Sequence, residues 1–166
     1  MGERHFGLRT PTAMERVAVM WSLQTQLGFR ILRQAMSHEN VEIVRDWVQA
    51  VIREDVEKVL EGLDPEIVAR VHDLPDVPEY HGLDGMAQWL ADWETAWKSW
   101  NWEPQDFVPK DDLVVAALLT VATGHTSDVE VRRLTGAVFK LRDGKVVELD
   151  YYASNREALE AAGLSE

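Results

Sequence analysis

Apolar residues recur at three- and four-residue steps through Val41, Val44, Trp47, Val48, Val51 and Ile52, which writes one face of an amphipathic helix beginning at a Ser37 cap. A second, short helix is predicted over about Val56 to Leu60, stopping at Gly62. Asp64-Pro65 then leads into an extended run, Ile67 to His72. The segment DLPDVPEYHGLDG, rich in Pro, Asp and Gly, reads as a loop delivering a third helix, Met86 to about Ser99, whose stripe is Met86, Trp89, Trp93, Trp97 and Trp100. Four extended runs follow: Trp100 to Val108, Leu113 to Thr123, Val129 to Leu141 and Lys145 to Tyr152. Asp111-Asp112, Thr123 to Asp128 and Arg142-Asp143-Gly144 are the turns, the last a strong hairpin signal. Helices first and a meander of strands afterwards predict an α+β domain, with helices packed on one face of a curved antiparallel sheet.

Composition narrows this picture. With 166 residues and 46% apolar content, the chain suits one domain with a substantial core. A net charge of -12 argues against nucleic acid, where Lys and Arg must neutralise phosphates, and favours a small neutral or cationic ligand or another protein. Without cysteine no thiolate site is possible, and His5, His38, His72, His81 and His125 are scattered without metal-ligand spacing. No metal and no cofactor are therefore expected. The first 35 residues hold five arginines and two acids, so a net +3 leader precedes a remainder carrying -15. Its uncharged run, Val17 to Phe29, is too short to span a bilayer, and its interruption by Ser22, Gln24 and Gln26 argues against a signal peptide despite the basic start. Residues 1–35 are expected to be a helical arm or a disordered extension, and residues 36–166 the domain. Because MSHEN at Met36 reads like a protein start, intact-mass measurement of native protein would test whether the leader belongs to it. A cytoplasmic location without membrane contact is expected.

The motifs LDPEIV, YHGLDGM, FKLRDGKVVELD and the ending REALEAAGL, in this order and spacing, resemble the SnoaL-like branch of the nuclear transport factor 2-like superfamily over residues 37 to 164. The resemblance implies a cone, a strongly bent sheet wrapped by three helices around an apolar pocket, and commonly a homodimer formed through the sheet. That family includes ketosteroid isomerases, polyketide cyclases, dehydratases and epoxide hydrolases, so fold alone does not choose a function. Carried over residue by residue, the isomerase pattern puts Trp47 where a phenol belongs, Val71 at the base position and Ala137 at the second acid. Valine and alanine carry no proton, so that chemistry is not expected here. The cyclase pattern puts Tyr151 at the acid position on the last strand, with Leu149 two residues before it.

Strand alternation sorts the same residues independently. Val147, Leu149 and Tyr151 share one face and Glu148, Asp150 and Tyr152 the other, so Asp150 should look away from the pocket. Arg133, Thr135, Ala137 and Phe139 share a face of the preceding strand, where Arg133 and Thr135 offer the few polar groups a pocket needs. Arg133 can equally pair with a surface acid, and Thr135 can serve simply as a strand former. Trp47, Trp93 and Trp97 complete the expected lining, as an aromatic cage or as core. His72 shares a face with Val68 and Arg70, a sheet-surface position unless a bulge exchanges the faces. His81 lies in the loop before the third helix, where the family resemblance implies the pocket mouth. Three functions stay open. One is a binder of a small hydrophobic molecule. Another is an acid–base enzyme on a hydrophobic or polycyclic substrate, using Tyr151, His72 or Asp46 as catalytic groups. The third is a structural or regulatory homodimer.

Overall fold

The computed structural model describes residues 9–164. Helix α1 runs from Ala13 to Ile52, followed by α2 (Val56–Glu61), strands β1 (Leu63–Val71) and β2 (Glu79–His81), and α3 (Gly82–Ala96). Strands β3 (Ser99–Lys110), β4 (Leu113–Thr123), β5 (Glu130–Arg142) and β6 (Lys145–Tyr152) come next, and α4 (Asn155–Ala161) closes the chain. By internal contacts, residues to Met36 and from Ser37 onward group as separate units, and each is described by itself. In the first, Trp21, Leu27, Phe29 and Ile31 are exposed on a helix. Ser37 caps nothing. The helix passes through it because residues 35–39 contain neither Gly nor Pro, and a serine needs a chain break before its hydroxyl can reach an N-terminal amide. No helix among the described residues is long and apolar enough to cross a membrane.

In the second unit the six strands form one sheet in the order β2-β1-β6-β5-β4-β3. The sheet is mixed: β1 runs parallel to β6, where an all-antiparallel sheet was expected, because the segment between them crosses the whole meander. β2 falls inside the stretch expected to be loop, pairing Val68 with His81 and Arg70 with Glu79. At the β5–β6 hairpin Asp143 and Gly144 both adopt positive φ, 52° and 74°, the two-residue turn whose twist matches the strands. Val44, Trp47, Val48 and Val51 of α1 bury against Val114, Ala116 and Leu118 of β4 and Ala137 and Phe139 of β5 in one core. Short α4 lies on the opposite face of the sheet, over Val115 and Val138. Its Ser154 cap accepts a hydrogen bond from the Glu157 amide.

Two details depart from simple periodicity. The registers of β5 and β6 shift between Lys140–Glu148 and Leu141–Val146, so Val147 is the extra residue. Val146 is fully buried and Val147 only half-buried, which corrects the expected inner face of Val147, Leu149 and Tyr151 at its first member. Helix α3 also starts earlier and stops at Ala96. Trp97 is extended, with φ -122° and ψ 139°, and Trp100 lies on β3 rather than on a helical stripe. The amide of Lys98 already donates to the Thr123 carbonyl, so β-pairing captures this segment.

Candidate functional site

Tyr151 sits at the centre of the inner face. Pairing with Ala137 on β5 and Val71 on β1 turns its side chain inward, where 1% of it is exposed. Its ring meets Trp93 at 5.5 Å and 88°, Trp89 at 6.3 Å and 62°, and Trp102 at 6.3 Å in a stacked arrangement. Thr135 Oγ1 donates to the Leu118 carbonyl at 3.0 Å, and the Thr120 and Thr135 hydroxyl oxygens are 2.8 Å apart. With the Thr135 proton used, Thr120 must donate to Thr135, so the Tyr151 hydroxyl, 3.1 Å from Thr120 Oγ1, must donate to Thr120. The chain is directional, and the phenol oxygen retains only acceptor capacity. Burial pushes the Tyr151 phenol above its ordinary pKa, against the lowering influence of Thr120 and Thr135, which also rules out a basic phenolate near neutrality.

A cavity of 210 Å³ ends on Tyr151, bounded by α3, by Val71 at the end of β1 and by the segment that joins it to β2. Of the residues singled out from sequence, Val71, Trp93, Trp97 and Tyr151 line it. The others lie elsewhere. Trp47 Nε1 donates to the Val59 carbonyl at 3.0 Å, and its ring packs edge-on to Phe139. Ala137 and Leu149 belong to the core, and Thr135 serves the hydroxyl chain. Arg133 is exposed and holds Asp73 at 3.2 Å. His72 is on the outer face, 2.7 Å from Asp150 and stacked on Tyr152 at 4.3 Å. Arg70 reaches Glu79, Glu148 and Asp150 beside it. His72 and Tyr151 are therefore not brought together. His81 pairs with Glu79, and Asp46 does not line this cavity.

Sequence reasoning missed Tyr80, Asp92 and Asp73, which also line the cavity. The Tyr80 hydroxyl donates to Asp92 at 2.8 Å, and Gln88 donates to the other carboxylate oxygen at 2.8 Å. Tyr80 was the one Tyr, Trp or Phe in an otherwise loop-like stretch, and Thr120 the one polar residue within LVVAALLTVA, residues 113–122; both signals were available. Burial first, then the Asp92 hydrogen bond and charge, push the Tyr80 phenol up to about 12. Tyr151 and Tyr152 are raised as well, both chiefly by burial. A phenol raised in the folded state favours folding below the unfolded value of about 10, and that contribution is lost as pH climbs through the folded value. Ultraviolet titration should thus find little phenolate at pH ~10 in native protein and about half-ionisation in denatured protein. Half-ionised native tyrosines at that pH would contradict it.

A larger cavity of 320 Å³ lies among Val51, Ile52, Val59, Leu90, Trp97 and Trp100. It touches no residue of β1, β5 or β6 and so misses every chemistry-bearing group of the inner face. Among the described residues no cluster of three or more His, Asp or Glu side chains is arranged to hold a metal. Two buried indole donors, Trp89 Nε1 and Trp102 Nε1, have no protein acceptor among the described residues; both rings pack around Tyr151.

A family model of the SnoaL-like domain matches residues 44–149. No curated protein matches the chain in sequence. Among solved structures, an NTF2-like protein of unknown function from Burkholderia pseudomallei shares 19% identity, covering 74% of this chain and 95% of its own, with a TM-score of 0.63. TerC, co-crystallised with polyporic acid, shares 17%, covering 74% and 96%, with a TM-score of 0.63. An LEH-like epoxide hydrolase of M. tuberculosis shares 14%, covering 75% and 90%, with a TM-score of 0.58. At these identities the likeness is one of fold, the α+β cone of NTF2-like proteins.

Proposed function

Since this chain belongs to the SnoaL-like domain family, we propose that it binds one small molecule in the cavity that ends on Tyr151, without acid–base turnover. The observation that carries this reading is the state of Tyr151. Its proton is committed to Thr120, and among the described residues no carboxylate or imidazole lies within hydrogen-bond reach of it. Val71 and Ala137, at the positions where the isomerase resemblance expects acids, add no titratable group. Size points the same way. A cavity of 210 Å³ is below the roughly 300–1,000 Å³ usual for drug-sized ligands, so a fragment-sized molecule suits it better than a polycycle.

Ala96, exposed at the end of α3, lines the cavity and supplies the test. Titration with 3,3-dimethylbutan-1-ol, a compact neutral alcohol, should produce a saturable change in indole emission in the native protein. Ala96→Phe, which fills the cavity from a surface position and should alter stability by no more than about 0.5 kcal/mol, should abolish the change. A change retained in Ala96→Phe, or none in the native protein with either this alcohol or its trimethylammonium isostere, would overturn the reading.

A further inference from the structure

The cavity on Tyr151 is walled mainly by aromatic rings, with Val71, Leu74 and Ala96 between them, and its charged lining residues are all acidic. Trp93 and Tyr151 stand nearly perpendicular, 5.5 Å between centroids, and Tyr80 and Trp97 supply two more aromatic sides. Two carboxylates, Asp73 and Asp92, line the cavity, and no Lys, Arg or His does. They are not equivalent. Asp73 is held by Arg133 at 3.2 Å, whereas Asp92 takes only neutral hydrogen bonds from Tyr80 and Gln88 and has no basic partner among the described residues. The negative charge of Asp92 is therefore uncompensated beside aromatic faces whose quadrupoles also attract positive charge. The hydroxyl chain adds a third element of the same sign. It spends the Tyr151 proton and leaves an oxygen that can only accept.

Resting on the reading that this cavity binds a small molecule, we propose that its occupant is a compact organic cation, an alkylated ammonium, seated against Trp93 and Tyr151 with Asp92 as counter-charge. A volume of 210 Å³ corresponds to about seven water molecules at ~30 Å³ each, enough for a trimethylammonium head and a short chain. A bare inorganic cation would gain little from aromatic walls and would need more oxygen ligands than the cavity supplies. An anion would meet the unpaired Asp92 and the net charge of -12.

Choline and 3,3-dimethylbutan-1-ol have the same shape and differ in the positive charge, so their ratio of affinities isolates the inference from the cavity itself. Calorimetry on the full chain should give choline a preference of roughly tenfold or more. Asp92→Asn should collapse that ratio towards parity. Glu94→Gln, which removes an equal charge from the same helix outside this cavity, should preserve it. Added salt should weaken choline binding as rim charges are screened. Equal binding of the two probes would overturn the cation and leave the cavity reading intact; binding of neither would overturn both. A preference that survives Asp92→Asn, or is lost equally in Glu94→Gln, would place its origin in the overall field of the protein and overturn the assignment to Asp92.

Discussion

Gly136→Ala is expected to destabilise the protein by about 1–3 kcal/mol, lowering Tm by roughly 2–12 °C in a thermal melt. Gly136 lies in β5 where α4 crosses it. A Cβ placed there would stand 2.5 Å from the Ala158 Cβ, 2.9 Å from the Asn155 Cα and 3.2 Å from the Ser154 carbonyl oxygen. The first contact is with a side chain and the other two are with the backbone of the helix start. Ala158→Gly in the same protein should therefore recover only part of the loss, since the helix cap remains in the way. Full recovery would mean that only the two methyl groups collide and that α4 is free to shift. An unchanged Tm in the single variant would show that α4 is not seated on β5 at all. The site depends on this seat indirectly, because Gly136 is flanked by Thr135 of the hydroxyl chain and pairs with Tyr152, next to Tyr151.

The strand parity of Leu149, Asp150 and Tyr151 was legible in the sequence because period two survives along that part of β6. Asp150 does lie with Glu148 on the outer face, both within reach of Arg70. Parity failed one step earlier, at Val147, where a bulge set by the hairpin register adds a residue that alternation alone does not announce. The tryptophan stripe failed for a similar reason. Steps of three and four are shared by Trp93, Trp97 and Trp100, yet pairing of Ser99 with Thr123 across the sheet overrides the helical period after Ala96. Least legible was the lining of the cavity. Tyr80 and Asp92 are 12 residues apart, on a strand expected to be loop and on the polar flank of a helix, and only the tertiary fold brings them to 2.8 Å. Family resemblance carried the fold further than it carried the site. It singled out Tyr151, which strand parity turns inward, while the groups that surround Tyr151 belong to this chain.

Tyr151→Phe and Thr120→Val should each lower stability, and the pair together should cost less than their sum. The phenol donates to Thr120, so Tyr151→Phe leaves the Thr120 oxygen without its donor, a loss of about 0.5–1.5 kcal/mol. Thr120→Val is the more damaging change. It strands a buried phenolic O–H, a group whose desolvation without a partner costs about 1–3 kcal/mol. In the double variant both partners are apolar and nothing is stranded, since Thr135 keeps its own donation to the Leu118 carbonyl. A denaturant-based double-mutant cycle should accordingly return a coupling of about 1 kcal/mol or more between the two positions. Strict additivity would show that the phenol proton is not directed at Thr120. It would then be available to a ligand, and Tyr151 would regain the role of donor or general acid that its committed proton denies it.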